Sequence, residues 1–199
     1  MKNWTNHWIL PLAFGFTALA PAAALAAGGT ITGKVEAEPK KYLEDTVVFV
    51  KEVKGSYTPQ KLTVDQKGMK FIPRVSVTTA GDTVEFLNHD NVDHNVFSPD
   101  GEGYNLGVFK ANESRTYTFK KEGVTYAQLC SIHPEMIAYI FVGQNPYSAP
   151  VEKDGKFTIK NVPPGTYDLM VWNVKLKAPS QSVTVAAGKA VEANFSLKR

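Results

Sequence analysis

The sequence predicts an all-β protein that folds as β-sandwiches or barrels. Short stretches rich in β-branched and aromatic residues recur along the chain, and several alternate apolar with polar residues, as half-buried strands do. Turn residues separate these stretches, and no segment after the first 26 residues shows a convincing helical period. Because sandwiches and barrels limit the number of exposed strand edges, this pattern favours them.

The predicted strands follow one another from residue 45 towards the C-terminus. They are predicted at 45–53, 82–88, 114–121, 123–129, 136–143, 155–162, 165–173, 181–188 and 190–197. Turn signals that combine glycine, proline, aspartate, serine or lysine lie at 81–82, 98–101, 121–123, 154–155 and 163–165. This spacing of short strands and turns is typical of all-β domains.

Residues 1–26 have the pattern of a secretory signal peptide. Lys2 precedes an apolar stretch that ends in Ala-Leu-Ala, and cleavage is expected after Ala26. The alternative is an uncleaved anchor, because the apolar run from Trp8 to Ala27 nearly reaches the ~20 residues that span a bilayer. Two prolines and the alanine-rich end favour cleavage. The sequence therefore predicts a periplasmic or otherwise exported protein.

The charge pattern argues against nucleic acid as a partner. The chain has 22 lysine and arginine residues against 19 aspartate and glutamate residues, and its net charge is +3. The basic residues are scattered, whereas proteins that bind nucleic acid carry a basic patch or stripe. Contact with a membrane is expected only through an uncleaved leader.

Cys130 is the only cysteine in the chain, and two other metal donors follow it closely. In an exported protein a lone cysteine is buried and inert, pairs with another molecule or binds a ligand. His133 and Met136 follow at three-residue spacing, on a segment between two predicted strands. Thiolate, thioether and imidazole suit copper, whereas a structural zinc site usually has two or more cysteines. A second histidine would complete the blue-copper set, His₂Cys with a weak axial methionine.

His94 and His89 are the candidates for the second histidine. His94 begins a predicted strand after the polar turn at 90–93, which places it at a sheet end where the Cys130 loop can also lie. Asn95 is expected to hydrogen-bond to that loop and hold the two segments together. His89 is interpreted as a polar turn residue in solvent. We take His94, in part because of the resemblance described next.

The segments DTVEFLNHDNVDHNVFS and CSIHPEM together resemble the cupredoxins, the small blue copper proteins. The Cys-x₂-His-x₂-Met spacing is more similar to amicyanin than to plastocyanin, and the resemblance covers about residues 61–146. It implies a Greek-key β-sandwich with one type 1 copper held by His94, Cys130, His133 and Met136. It also implies one-electron transfer between redox protein partners.

The resemblance further implies where electrons enter the protein. In cupredoxins the histidine that matches His133 shows its ring edge at an apolar surface patch. Pro134, Ile137 and Phe97 are expected to supply such a patch here, with core packing as the alternative role for each.

The segment GKFTIKNVPPGTYDLMVW (155–172) resembles carboxypeptidase regulatory-like modules, which are prealbumin-like β-sandwiches. The opening strands of such a module have counterparts at 29–35 and 44–53. The resemblance implies that residues 29–55 and 147–199 form one discontinuous, smaller sandwich, into which a cupredoxin domain at 56–146 is inserted. The alternative is a serial order, in which residues 29–55 supply the first strands of the cupredoxin.

The leading function is therefore a periplasmic electron carrier, and the protein is not expected to be an enzyme. The first alternative is a protein that binds or delivers copper without redox turnover. Such proteins usually use several sulfur ligands, and after the leader this chain has Cys130 with only Met69, Met136 and Met170. The second alternative is a non-redox adhesion or carbohydrate-binding module, suggested by aromatic residues in the C-terminal sandwich.

Overall fold

The computed structural model describes Met1 and residues 27–199, so the predicted leader and its cleavage site lie outside the described residues, apart from Met1. Regular structure in the described part is β throughout, except for one 3₁₀ turn at Lys40–Tyr42. No helix among these residues is long and apolar enough to cross a membrane. The predicted all-β fold class is confirmed.

The strands are numbered in chain order, and their bounds follow here. They are β1 (Gly29–Ala37), β2 (Thr46–Val50), β3 (Lys61–Gln66), β4 (Phe71–Ile72), β5 (Val75–Thr79), β6 (Thr83–Asn88), β7 (His94–Ser98), β8 (Tyr104–Phe109), β9 (Ser114–Thr118), β10 (Val124–Leu129), β11 (Ile137–Gly143), β12 (Ser148–Pro150), β13 (Lys156–Val162), β14 (Gly165–Asn173), β15 (Gln181–Val185), β16 (Ala190–Glu192) and β17 (Phe195–Leu197).

Strands β3 to β11 form a two-sheet unit that we call the central sandwich. One sheet has the order β5-β11-β10-β7-β8, and the other has the order β4-β3-β6-β9. Inward side chains from both sheets form one apolar core, whose largest fully buried members include Phe86, Phe109, Phe119 and Tyr126. This core fixes the register of β7, β10 and β11, which carry the site described below.

Strands β1, β2 and β12 to β17 form a second two-sheet unit that we call the flanking sandwich. In one sheet β1 pairs with β13, β16 and β17, and in the other β2 lies between β12 and β14. Side chains from both sheets share a core that includes Ile31, Val48, Phe157, Leu169 and Leu197. Within residues 27–199, the first two strands therefore pair with strands that follow residue 147.

A small apolar cluster joins the two sandwiches. Its buried members are Val47 from β2, Val75 from β5 and Phe141 from β11. Phe49 lies against Phe141 with their ring centroids 4.6 Å apart. Because β11 also follows the segment that contains Met136, this contact connects the flanking sandwich to the neighbourhood of the predicted metal donors.

Candidate metal centre

Three predicted donor residues meet at one end of the central sandwich. His94 is the first residue of β7, and Cys130 directly follows β10, the antiparallel neighbour of β7. His133 lies in the connection from β10 to β11. In an antiparallel pair the start of one strand lies beside the end of the other, which brings the three residues together. Their ligand atoms all lie within 4.8 Å of one another.

The separations between these atoms match those around one metal ion. The Nδ1 atoms of His94 and His133 are 3.1 Å apart, and the Sγ atom of Cys130 lies 3.9 Å from each. Nitrogen and sulfur donors that each lie 2.0–2.3 Å from an ion are about 3–4 Å from one another. His94 and Cys130 are buried, whereas His133 is half-buried. The donors therefore form a mostly dry site with one side nearer to solvent.

Asp90 orients the His94 ring, a role that the sequence reasoning missed. Its Oδ2 atom accepts a hydrogen bond from Nε2 of His94 at 2.9 Å, which leaves Nδ1 free to bind a metal. Its carboxylate also accepts the backbone N–H groups of Gly68 and Met69. Burial alone would raise the pKa of Asp90, but hydrogen bonds from Met69, His94 and Gly68 outweigh burial and lower it.

The Asp90 contacts also tie the β3–β4 hairpin to the site. Gly68 and Met69 both have positive φ, as the two central residues of a tight type I′ hairpin turn do. Their N–H groups point to the Asp90 carboxylate at 2.6 and 2.9 Å. Asp90 precedes His94 by four residues, and a carboxylate so close to a predicted histidine ligand is the sequence feature that indicates this role.

We expect Asp90→Asn to weaken copper binding by about 10- to 100-fold, because loss of a partner that orients a histidine ligand has that effect. The dissociation constant, measured by competition with a chelator of known affinity, checks this. Asp65→Asn is the matched control, because Asp65 contacts the exposed His89 and no predicted donor. Equal affinities for the two variants would contradict the role of Asp90.

Asn95 connects the two donor segments. Its Oδ1 atom accepts the backbone N–H of Ser131 at 3.3 Å, and its Nδ2 group donates to Asn105 and to the carbonyl of Gly107. The backbone N–H of Asn95 lies 3.5 Å from the Cys130 sulfur. Asn95 therefore contacts the donor segment through its backbone at Cys130 and through its side chain at Ser131.

Met136 is the fourth predicted donor. Its side chain is 1 % exposed and belongs to the core of the central sandwich, directly before β11. Its backbone N–H donates to the carbonyl of His133 at 3.0 Å, which closes the turn between the two residues. We call residues 130–136 the donor loop.

The donor chemistry fits copper. One thiolate and two imidazoles are close enough to share an ion, and a thioether lies on the same short loop. This is the His₂Cys arrangement with methionine that blue-copper sites use, and it lacks the additional cysteines typical of structural zinc sites. The residues present therefore fit a copper ion.

His89 lies outside the donor group. Its side chain is exposed, and Nδ1 is 2.9 Å from Oδ1 of Asp65. The structure therefore brings His94, and not His89, next to Cys130 and His133.

The residues predicted to form a surface for electron transfer differ in exposure. Pro134 and Ile137 are exposed, whereas Phe97 is half-buried and pairs with Leu129 across β7 and β10. Exposed Ile132, directly before His133, and Val92, in the turn before His94, were missed. Each is an apolar residue close to a predicted ligand in an otherwise polar turn, and this feature of the sequence indicates an apolar surface at the site.

Family comparison shows what the central sandwich is similar to. A model of the copper binding proteins of the plastocyanin/azurin family matches residues 58–143. Residues 58–143 are therefore similar to the plastocyanin/azurin copper proteins, and they include strands β3 to β11 of the central sandwich. The match contains His94, Cys130, His133 and Met136, so the family and the geometry point to the same end of the domain.

Solved structures similar to the chain include copper proteins. A mutant of amicyanin in its Cu(I) form is 27% identical over 41% of this chain and 80% of that chain, with a TM-score of 0.38. A reduced mutant of amicyanin is 28% identical with the same coverage and TM-score. The copper-containing nitrite reductase of Thermus scotoductus is 29% identical over 49% of this chain but only 25% of that chain, with a TM-score of 0.41. No curated protein matches the chain.

The C-terminal part of the chain matches a different family model. Residues 143–193 match domain II of polysaccharide lyase family 4, a fibronectin type III-like model. This match contains strands β12 to β16 and does not include β1, β2 or β17. It supports a second β-domain, whereas the predicted carboxypeptidase regulatory-like type is not among the matching families.

Proposed function

We propose that the protein is an exported one-electron carrier with a single type 1 copper site, held by His94, Cys130, His133 and Met136. The observation that carries this proposal is the convergence of two Nδ1 atoms and one sulfur within 4.8 Å, at the end of a cupredoxin sandwich. Copper, when bound, supplies a couple that gains or loses one electron.

The surrounding residues suit electron transfer, because they keep the donors in place. Asp90 holds the His94 ring, Asn95 holds the donor loop, and the buried side chain of Met136 lies in a packed core. Ligands that cannot rearrange reduce the structural change that accompanies a change in copper charge. His133 is the donor nearest to solvent, and the exposed Pro134 next to it offers a contact surface to a redox partner.

The location and the domain order are parts of the same proposal. The leader pattern of residues 1–26 supports a periplasmic or otherwise exported location. We propose that residues 29–55 and 147–199 form one discontinuous domain of carboxypeptidase regulatory-like type around the cupredoxin at 56–146. The pairing of β1 with β13 and of β2 with β14 supports this division.

The test is the visible absorption and EPR spectrum of the protein, without its leader, during titration with Cu(II). We expect an intense thiolate-to-copper band and narrow copper hyperfine splitting, saturating at one copper per chain and bleached reversibly by a reductant. A weak spectrum typical of tetragonal copper would contradict the proposal and favour a protein that handles copper without redox turnover.

We also expect bound copper to stabilise the fold. At a free copper concentration of 100 times the dissociation constant, the free energy of unfolding rises by about 2.7 kcal/mol, because the ion binds the folded state. Urea unfolding of the metal-free and copper-loaded protein measures this increase. His89→Gln should show the same gain, since His89 lies outside the donor group. His94→Gln should lose most of it.

A further inference from the structure

Arg74 links the flanking sandwich to the strand that follows the donor loop. It lies between β4 and β5, and its guanidinium forms a two-pronged pair with Asp45, with Nε to Oδ1 at 2.6 Å and Nη2 to Oδ2 at 3.2 Å. Its third nitrogen, Nη1, donates to the backbone carbonyl of Ile137 at 3.1 Å. One planar group therefore contacts the flanking sandwich and the residue directly after Met136.

Asp45 is a firm anchor for this guanidinium. Its side chain is 8% exposed, although that of Arg74 is 53% exposed, so the carboxylate is fixed in the flanking sandwich while the arginine reaches it from the surface. A buried carboxylate requires a charged or hydrogen-bonding partner. Because the guanidinium is flat and its donors are fixed in a fork, the carboxylate sets its plane and aims Nη1 at Ile137.

The first residues of β11 are held by further contacts from the same region. The backbone N–H of Tyr139 donates to the carbonyl of Arg74 at 2.9 Å, and β11 pairs in parallel with β5. The guanidinium lies 5.8 Å from the centre of the Tyr139 ring. That ring is 5.5 Å from Trp172 of the flanking sandwich. The start of β11 is therefore bound by its backbone and by a side chain.

We propose that Arg74, anchored by Asp45, is a positioning residue for the axial donor Met136, so that the flanking sandwich sets the geometry of the copper site. The proposal rests on the proposed function, since it assigns Met136 to the metal. Ile137 follows Met136 directly, and the Met136 N–H closes the turn to His133. A shift of Ile137 therefore moves the thioether relative to the three other donors, and the axial ligand tunes the reduction potential.

The experiment compares Asp45→Asn and Arg74→Lys with the unchanged protein, in the full chain without its leader. Asp45→Asn removes the charge of the anchor at constant size, and Arg74→Lys keeps the positive charge but loses the fork. Lys61→Gln is the matched control, because it breaks the Lys61–Glu85 ion pair within the central sandwich. The Lys61–Glu85 pair lies at the start of β3, whereas the metal centre lies beyond the end of β3.

Two measurements are made on each protein. Copper-loaded samples give the relative intensities of the thiolate-to-copper bands, the rhombicity of the EPR signal and the reduction potential. Metal-free samples give the hydrogen exchange rates of the amides of residues 137–139. For Asp45→Asn and Arg74→Lys we expect altered band intensities and potential with copper still bound, and about tenfold faster exchange at these amides. Lys61→Gln should change neither.

The outcomes separate this inference from the proposed function. A type 1 spectrum in the unchanged protein, with identical spectra and exchange rates in both variants, would overturn the role of Arg74 and leave the electron carrier intact. Faster exchange without any change in spectrum or potential would also overturn it, because the link would then be structural only. If the unchanged protein gives no type 1 spectrum, the proposed function fails, and the inferred role in positioning a copper ligand fails with it.

Discussion

Cys130→Ser is expected to abolish the intense visible band of the copper-loaded protein. The band requires a thiolate bound to Cu(II), and a serine hydroxyl stays protonated and is a hard, weak donor. Serine is close to cysteine in size, so the core around residue 130, which is 3% exposed in the native protein, keeps its shape. Absorption and EPR spectra recorded after addition of equimolar Cu(II) measure the effect.

The controls for this variant separate loss of the thiolate from loss of the fold. Metal-free Cys130→Ser should have the same far-ultraviolet circular dichroism spectrum as the unchanged protein. Its urea midpoint should differ only by the small amount expected for one conservative substitution in the core. His89→Gln should keep the full band, because His89 contacts Asp65 and not the donors. Persistence of an intense band in Cys130→Ser would rule out Cys130 as the ligand responsible for it.

The fold class follows from short-range patterns in the sequence, whereas the choice of His94 as the second histidine also rests on the resemblance to cupredoxins. Alternating strands and turn residues predict the β-structure, and His94 and Cys130 are placed at strand ends by their position in those patterns. The structure brings the ligand atoms of His94, Cys130 and His133 together. Their assignment as copper ligands, with Met136, stays a prediction that the spectra test.

Other features could not be predicted, because they depend on local irregularity or on distant contacts. Strand β8 contains Gly107, whose φ is +74°, and the alternation of its exposed and partly buried side chains breaks at the next residue, Val108. Its pairing with β7 also shifts register between Asn95 and Phe97. A regular period over the whole of β8 is therefore lacking, and periodicity alone does not predict this strand.

The link between Asp45 and Arg74 illustrates the second reason. The two residues are 29 positions apart and belong to different sandwiches, and a charged residue near a turn is by itself an ordinary surface feature. The packing of β5 and β11 against β2 brings them together. Asp90 is an intermediate case, because its contact with His94 spans four residues but passes through an irregular turn.

Leu169→Ala is expected to lower the free energy of unfolding by about 2–5 kcal/mol, the range for truncation of a fully buried leucine. Leu169 lies on β14 and is 0% exposed, in the core shared by both sheets of the flanking sandwich. It pairs with Val50 of β2 on one side and with Gln181 of β15 on the other. The cavity therefore affects strands from both ends of the chain. Urea unfolding of the metal-free protein measures the loss.

Asp168→Ala is the matched control for this variant, because Asp168 is the preceding residue on β14 and its side chain is exposed. Exposed substitutions of this kind change stability by only about 0.5 kcal/mol. If β1 and β2 belong to the same cooperative unit as β13 to β17, hydrogen exchange in Leu169→Ala should accelerate in β2 together with β14. Acceleration in β14 without any change in β2 would contradict a single discontinuous domain, since the two strands share backbone hydrogen bonds and one core.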